Sequence, residues 1–294
     1  MVDERARNER VWSEFIERLP RYSTSPLRIL EVGSGDGATA ERILDVLHER
    51  PEHTVEYTLV DVESEHLDAA TDRLRQWEWE RDCDVTQEGG GLALSGPINA
   101  RLDFIPADLF GFTRTCDGRF DAIVAQAVLD ILPLKDALDR LGRLLLDGGL
   151  WYLPIHFDGV TAFEPSIASP LDAQIEERYH QSMSDTESSE EGGIAGAKTG
   201  RRLLDRFRRG ASALLAAGSS DWVVFARDGE YPNQEKYFLH HILQFIEQEL
   251  SGHPDLDPDA FNRWVATRRR QIEQGDLIYV AHQLDVLAQE GGSA

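Results

Sequence analysis

The sharpest chemical feature of the chain is the run Glu31-Val32-Gly33-Ser34-Gly35-Asp36-Gly37. Gly33, Gly35 and Gly37 carry no Cβ to keep a ligand away from the main chain, and a helix starting just after them would offer unpaired N–H donors. Gly33, Gly35 and Ala38 also satisfy the relaxed dinucleotide fingerprint, so the loop on its own leaves the ligand open. Asp130 and His156 follow two apolar runs at the edge where ligands bind in open α/β sheets, which makes them candidates for substrate contact or a general base. A helix cap and a packed strand-end histidine are their plainer alternatives. His241 falls on an apolar stripe with Phe238, Ile242 and Phe245 and reads as packed, whereas Tyr179 and His180 could close over a substrate. Arg201, Arg202, Arg206, Arg208 and Arg209, with Arg268 to Arg270, read as solvated helix faces that balance abundant carboxylates.

These residues need a scaffold, and the apolar periodicity supplies one. Period-2 runs alternate with period-3.6 runs through the first half, the pattern of repeated βα units and a mostly parallel sheet. Strands are predicted over 27–32, 55–60, 101–105, 120–125 and 150–155, with helices over 38–50, 64–79 and 135–146. Cys83 to Ala100 reads as a glycine-rich irregular stretch, and 157–199 shows no clear long element, with 182–200 polar enough to be mobile. A helix is predicted from Arg201 to Ala217, then a short strand over 222–226, helices over 235–250 and 259–274, and a terminal strand over 277–287.

Composition narrows the class. The 294 residues are 41% hydrophobic, enough for one large core, and no run approaches the roughly 18 apolar residues of a membrane span. The charged N-terminus has no apolar signal core, which points to the cytoplasm. Cys83 and Cys116 form neither a metal-ligand spacing nor a disulfide framework and read as ordinary thiols. The formal net charge is −23, and lysine occurs only at 135, 198 and 236. Such an acidic, arginine-balanced surface is that of a salt-adapted cytoplasmic protein, and its field repels nucleic acid.

The glycine run gains meaning from its surroundings. Glu31 before the first glycine, Gly37 after the second and Asp61 at the end of the second strand together resemble the class I S-adenosylmethionine-dependent methyltransferases. Phe104 to Leu109 looks like that family's adenine-contacting segment, 120–130 like its fourth strand and loop, and 144–153 like its Gly-Gly turn and fifth strand. The resemblance implies a doubly wound, mostly parallel, seven-stranded Rossmann-like sheet with helical insertions. It divides the chain into an N-terminal helical lid segment (1–26), an S-adenosylmethionine-binding α/β core (27–156), a flexible flap (157–200), and a completion of the sheet (201–294) with a helical insertion at about 228–276. Trp12 and Phe15 would belong to the lid or to a simple packing helix.

The resemblance also implies roles. Glu31 and the backbone of Gly33, Gly35 and Gly37 would border the methionine end of the cofactor. Asp61 would accept the ribose hydroxyls, Asp108 and Leu109 would meet the adenine, and Gln126 would lie beside the sulfonium, with a strand-end turn residue and a helix N-cap as the plainer alternatives for Asp61 and Asp108. The implied reaction is methyl transfer to an unidentified small or medium-sized acceptor. A non-catalytic protein that binds the cofactor and a nicotinamide-dependent oxidoreductase stand as alternatives, although no Tyr-x-x-x-Lys pair supports the latter. Neither the acceptor nor the oligomeric state is legible.

Overall fold

A computed structural model describes residues 2–19, 26–49, 54–81, 83–185, 196–210 and 212–291. Its centre is β1 (Leu27–Val32), flanked in parallel by β2 (Thr54–Asp61) and β6 (Phe120–Ala125). All six residues of β6 are buried, as are five of the six in β1, because helices cover both faces of a parallel sheet. Those helices are α3 (Ala38–His48), α4 (Ser64–Glu80), α5 (Leu109–Thr115) and α6 (Leu134–Leu144). On α3, Ala40, Ile43, Leu44 and Leu47 are buried, the stripe that its 3.6-residue period lays down.

Beyond β2 lies β5 (Asn99–Pro106), and beyond β6 lies β7 (Leu145–Glu164), both in parallel. The antiparallel β10 (Ile278–Gln289) pairs with β7 and with β8 (Ala213–Ser219). The seven strands β5-β2-β1-β6-β7-β10-β8 form the doubly wound sheet implied by the sequence, and the chain changes direction of winding between β1 and β6. In such a sheet the crevice at the carboxyl ends of those two strands is the natural ligand site.

The structure departs from the sequence reading in three places. The Cys83 to Ala100 stretch is a hairpin, β3 (Asp84–Glu88) and β4 (Gly91–Ser95), which extends the sheet from the edge of β5. Gly89 and Gly90 turn it with φ of +57° and +91°, as a two-residue hairpin loop requires. Residues 157–185, expected to be irregular, continue β7 to Glu164 and then form α7 (Ser169–Asp185), while 186–195 lie outside the described residues. The predicted 201–217 helix is α8 (Thr199–Arg209), stopped at Gly210 and followed by β8. Ala213 to Ala217 would suit a helix, but pairing with β10 decides otherwise.

At the amino terminus the structure chooses the packing-helix alternative for Trp12 and Phe15. In α2 (Glu9–Arg18), Trp12 and Phe15 are core residues, with Phe15 stacked on Tyr152 at a centroid separation of 4.4 Å. The short α1 (Val2–Ala6), and not these aromatics, faces the crevice. Among the described residues no helix is long and apolar enough to cross a membrane.

Between β8 and β10 run β9 (Trp222–Val224), which pairs with β10, and the helices α9 (Glu235–Leu250) and α10 (Pro258–Gln274). A buried polar knot joins them to the end of β7. Asp172 accepts from Trp264 Nε1 at 2.7 Å and Arg268 Nη2 at 2.8 Å, and from Ser166 Oγ and the N–H groups of Ile167 and Ala168. Arg268 is fully buried and also donates to the carbonyls of Phe163 and Pro165. Burial alone would raise the Asp172 carboxyl, but these hydrogen bonds and the guanidinium hold it below the ordinary carboxylate value.

Asp172→Ala strands the Arg268 charge and should cost about 3–5 kcal/mol of unfolding free energy at neutral pH, measured by denaturant titration. A depressed acid stabilises above its unfolded pKa, so the gap between wild type and variant should narrow as pH falls below about 3.9. A loss under about 1 kcal/mol would show that the knot is replaceable.

Candidate functional site

The turn after β1 is pinned by the end of β2. Gly33 N–H and Ser34 N–H both donate to Val60 O, at 2.8 and 3.2 Å, and Gly35 N–H donates to Asp61 Oδ2 at 2.9 Å. The three glycines have φ of +65°, +52° and +76° in chain order. At Gly33 a Cβ would stand 2.8 Å from Val128 Cβ, whereas at Gly35 it would meet only open space. Gly37 opens α3 as its N-cap residue. The backbone is therefore bare toward a cleft of about 570 Å³, within the usual range for small-molecule sites.

Glu31, Gly33, Ser34, Gly35, Thr39 and Gln126 line the cleft from the sheet side, and Asp3, Glu4 and Arg7 line it from the amino-terminal segment. Glu31 is buried and accepts from Tyr57 Oη at 2.7 Å. Burial lifts its carboxyl to about 7 against the pull of that hydrogen bond and of Arg7. Gln126 Oε1 accepts from Arg7 Nη2 at 2.8 Å and Thr39 Oγ1 at 2.9 Å, and its Nε2 donates to Asp3 Oδ2 at 3.0 Å. Arg73 braces the loop from outside by donating to the carbonyl and carboxylate of Asp36.

The other residues singled out in the sequence separate into two groups. Asp61 is buried at the strand end, where its Oδ1 also accepts from Glu63 N–H at 3.0 Å and lies 3.2 Å from His66 Nδ1. Asp108 is exposed at the end of the neighbouring β5 and N-caps α5, accepting from Gly111 N–H at 2.9 Å, and Leu109 is buried as the first residue of that helix. Asp61, Asp108 and Leu109 do not themselves line the cleft; they stand at the same edge of the sheet, where Pro106 pairs with Asp61.

Asp130 and His156 do not line the cleft. Asp130 lies in a 3-10 turn at Leu129–Ile131, where burial pushes its carboxyl to about 7 against hydrogen bonds from the Thr199 side chain and the Phe157 backbone. His156 is fully buried, its Nδ1 lies 3.3 Å from Leu153 O, and burial lowers its pKa to about 4. The imidazole is thus buried away from the cleft in this arrangement. The physical reason is local: Ile155 has φ +59° and the pairing of β7 with β10 shifts register there, so strict alternation fails at the strand end. His241 also corrects the sequence reading, because it is exposed between Tyr237 and Phe245, with ring separations of 6.2 and 4.6 Å. Tyr179 and His180 lie on α7 and do not line the glycine cleft. Arg201, Arg206, Arg208 and Arg209 pair with Asp158, Asp139 and Asp205, so the arginine-rich helix does balance carboxylates.

Sequence reasoning missed Arg7, Asp3 and Thr39. Arg7 and Gln126 are 119 residues apart, and the charged residues 3–10 carry no local mark that distinguishes a cleft wall from a solvated terminus. Among the described residues no group of three or more His, Cys, Asp or Glu could hold a metal ion. The cleft does suit a ligand with polar ends: Ser34 Oγ and Arg7 Nε are buried without a hydrogen-bond partner, beside the bare backbone of Gly35.

Residues 30–151 match the family model of the methyltransferase domain. A stretch of 79 residues is 32% identical to the non-reducing polyketide synthase pkdA of Emericella nidulans, which amounts to 26% of this chain and only 3% of that protein. The cyclase SpnF aligns over 95% of this chain and 82% of its own at 17% identity and a TM-score of 0.44. An S-adenosylmethionine-dependent methyltransferase from Thiobacillus denitrificans, in complex with S-adenosylhomocysteine, aligns over 95% of this chain and 92% of its own at 11% identity and a TM-score of 0.45. Residues 30–151, which hold the glycine turn, Glu31 and Asp61, are thus similar to a methyltransferase domain.

Proposed function

We propose that the chain transfers a methyl group from S-adenosylmethionine to a small or medium-sized acceptor. The observation that carries this reading is the Asp61 carboxylate locked to Gly35 N–H beneath a bare glycine turn, inside the span that matches the methyltransferase domain. Glu31 would receive the cofactor's ammonium, Asp61 the ribose hydroxyls, Asp108 and Leu109 the adenine, and Gln126 the sulfonium end. Gly35, open where a Cβ would stand, would let the ligand lie against the backbone, with Gly33 and Gly37 shaping the turn on either side. A bound sulfonium supplies an activated methyl carbon for in-line displacement. The chain's own part is then to align the acceptor and exclude water, which can supply much of the acceleration. Supporting a small acceptor is the net charge of −23, which disfavours a polyanion. Arg201, Arg206, Arg208 and Arg209 of α8 are paired with carboxylates and so do little to offset it.

The same acidity, with Cys116 a free thiol, supports a salt-adapted protein of the cytoplasm. Raising KCl from about 0.1 M to about 1 M shortens the Debye length from roughly 10 Å to roughly 3 Å and should raise the Tm by screening self-repulsion. A flat or falling Tm would argue for an ordinary acidic protein.

Calorimetric titration with S-adenosylmethionine, S-adenosylhomocysteine and NAD(H) tests the cofactor. Binding of the two sulfur nucleosides alone is the expected result, and binding of NAD(H) alone would overturn the reading. Asp61→Ala should weaken the sulfur nucleosides by about 1–3 kcal/mol, since buried hydroxyls lose their acceptor and the loop its anchor. Binding without turnover over a wide acceptor panel would favour the non-catalytic alternative.

Glu31 makes binding depend on pH. Its carboxyl, lifted to about 7, must ionise to attract an ammonium, so affinity should rise between about pH 6 and pH 8. Stability should move the opposite way: the folded state keeps a proton that the unfolded chain releases near pH 4.3, so stability falls from about pH 4.3 through 7. Glu31→Gln should flatten both trends relative to wild type. Because the Asp130 carboxyl is also raised to about 7, the difference between the two proteins is the quantity to read.

A further inference from the structure

Arg7 has an environment that its protein partners do not complete. It is 6% exposed, in the tight junction between α1 and α2. Its Nη2 donates to Thr39 Oγ1 at 2.9 Å and to Gln126 Oε1 at 2.8 Å, both neutral acceptors. Its Nε is buried without a hydrogen-bond partner. Among the described residues no carboxylate pairs with it as a salt bridge. Asp3, Glu31 and Asp285 feel its field without forming an ion pair with it. A guanidinium taken out of water without an anion is expensive, and a planar fork with spare donors is the group best matched to a carboxylate.

The guanidinium is also held in place. On one side Asp3 accepts from Gln126. On the other, Arg5 pairs with the buried Glu235 of α9 and its Nη2 lies 3.5 Å from Val223 O. Behind it, Asn8 N–H donates to Asp285 Oδ2 at 2.8 Å, and Asn8 Nδ2 donates to Ser219 O at 3.0 Å. Arg7 and Glu31, a guanidinium and a carboxyl able to ionise, line the same cleft, and Ser34 Oγ, buried and unpartnered, lies along it. An α-amino acid end, ammonium and carboxylate on one carbon, matches that pair of charges.

We propose that Arg7 recognises the α-carboxylate of the cofactor's amino-acid end, so that the first residues of the chain form part of the cofactor site. The assignment rests on the S-adenosylmethionine reading above. It makes the amino-terminal segment a specificity element that distinguishes a ligand carrying a carboxylate from one without it, while Glu31 serves the ammonium.

The test compares S-adenosylhomocysteine with decarboxylated S-adenosylhomocysteine, which keeps the nucleoside, thioether and amine and lacks only the carboxylate. Calorimetry on the full chain should show the wild type preferring the carboxylate-bearing ligand by roughly 10-fold or more. Arg7→Met should erase that preference while leaving the decarboxylated ligand bound about as before, which also shows that the variant folds. Arg7→Lys should recover part of the preference, since an ammonium supplies charge without the fork. A preference that survives in Arg7→Met, or equal loss of both ligands in a variant that circular dichroism shows to be folded, would overturn the proposal. A wild type that binds both ligands equally would overturn it as well and leave the cofactor reading intact, whereas a wild type that binds neither would remove the cofactor reading itself.

Discussion

The site depends on the hydrogen bonds that the end of β2 offers to the turn after β1. Val60 O takes two N–H groups and the Asp61 carboxylate a third, so the glycine loop cannot relax toward the cleft without leaving buried acceptors unpaired. Gly33 completes the constraint, because a side chain there would collide with Val128 in the loop that follows β6. Two strands and two loops are thereby fixed against one another at the place where the sheet changes winding, and the bare face of the turn is what remains for a ligand.

Around this rigid floor the walls come from far away in the chain. Gln126, at the end of β6, gathers Arg7, Thr39 and Asp3 into one network, so the amino-terminal segment closes the cleft through side-chain hydrogen bonds more than through apolar packing. The aromatic residues of α2 serve a different purpose. Trp12 and Phe15 pack on Tyr152 of β7 and anchor the segment to the sheet, which leaves the preceding helix to meet the site.

The carboxyl-terminal part is organised by another buried charge. Asp172 and Arg268 satisfy each other and the backbone between β7 and α7, so the long β7, α7 and α10 meet at one point. Surface charge is handled differently. The arginines of α8 face carboxylates of their own helix or of its neighbours, a local neutralisation in a molecule whose total remains −23.

By itself the sequence determined the alternating strands and helices of the parallel core and the glycine turn, because helix and strand periods and missing Cβ atoms are properties of neighbouring residues. It also placed Glu31, Asp61 and Gln126 at strand ends that meet. It could not show which side chains that end of the sheet seals away. Asp130 and His156 occupy the expected positions in the chain, yet the irregular register at Ile155 and the packing against residues 199–200 turn them from the cleft. Nor could it show that Ala213 to Ala217 become a strand, that 84–95 form a hairpin, or that Arg7 stands 119 residues from its partner Gln126. Those outcomes rest on pairings between distant segments, and the free energy that decides them is absent from any local window of the chain.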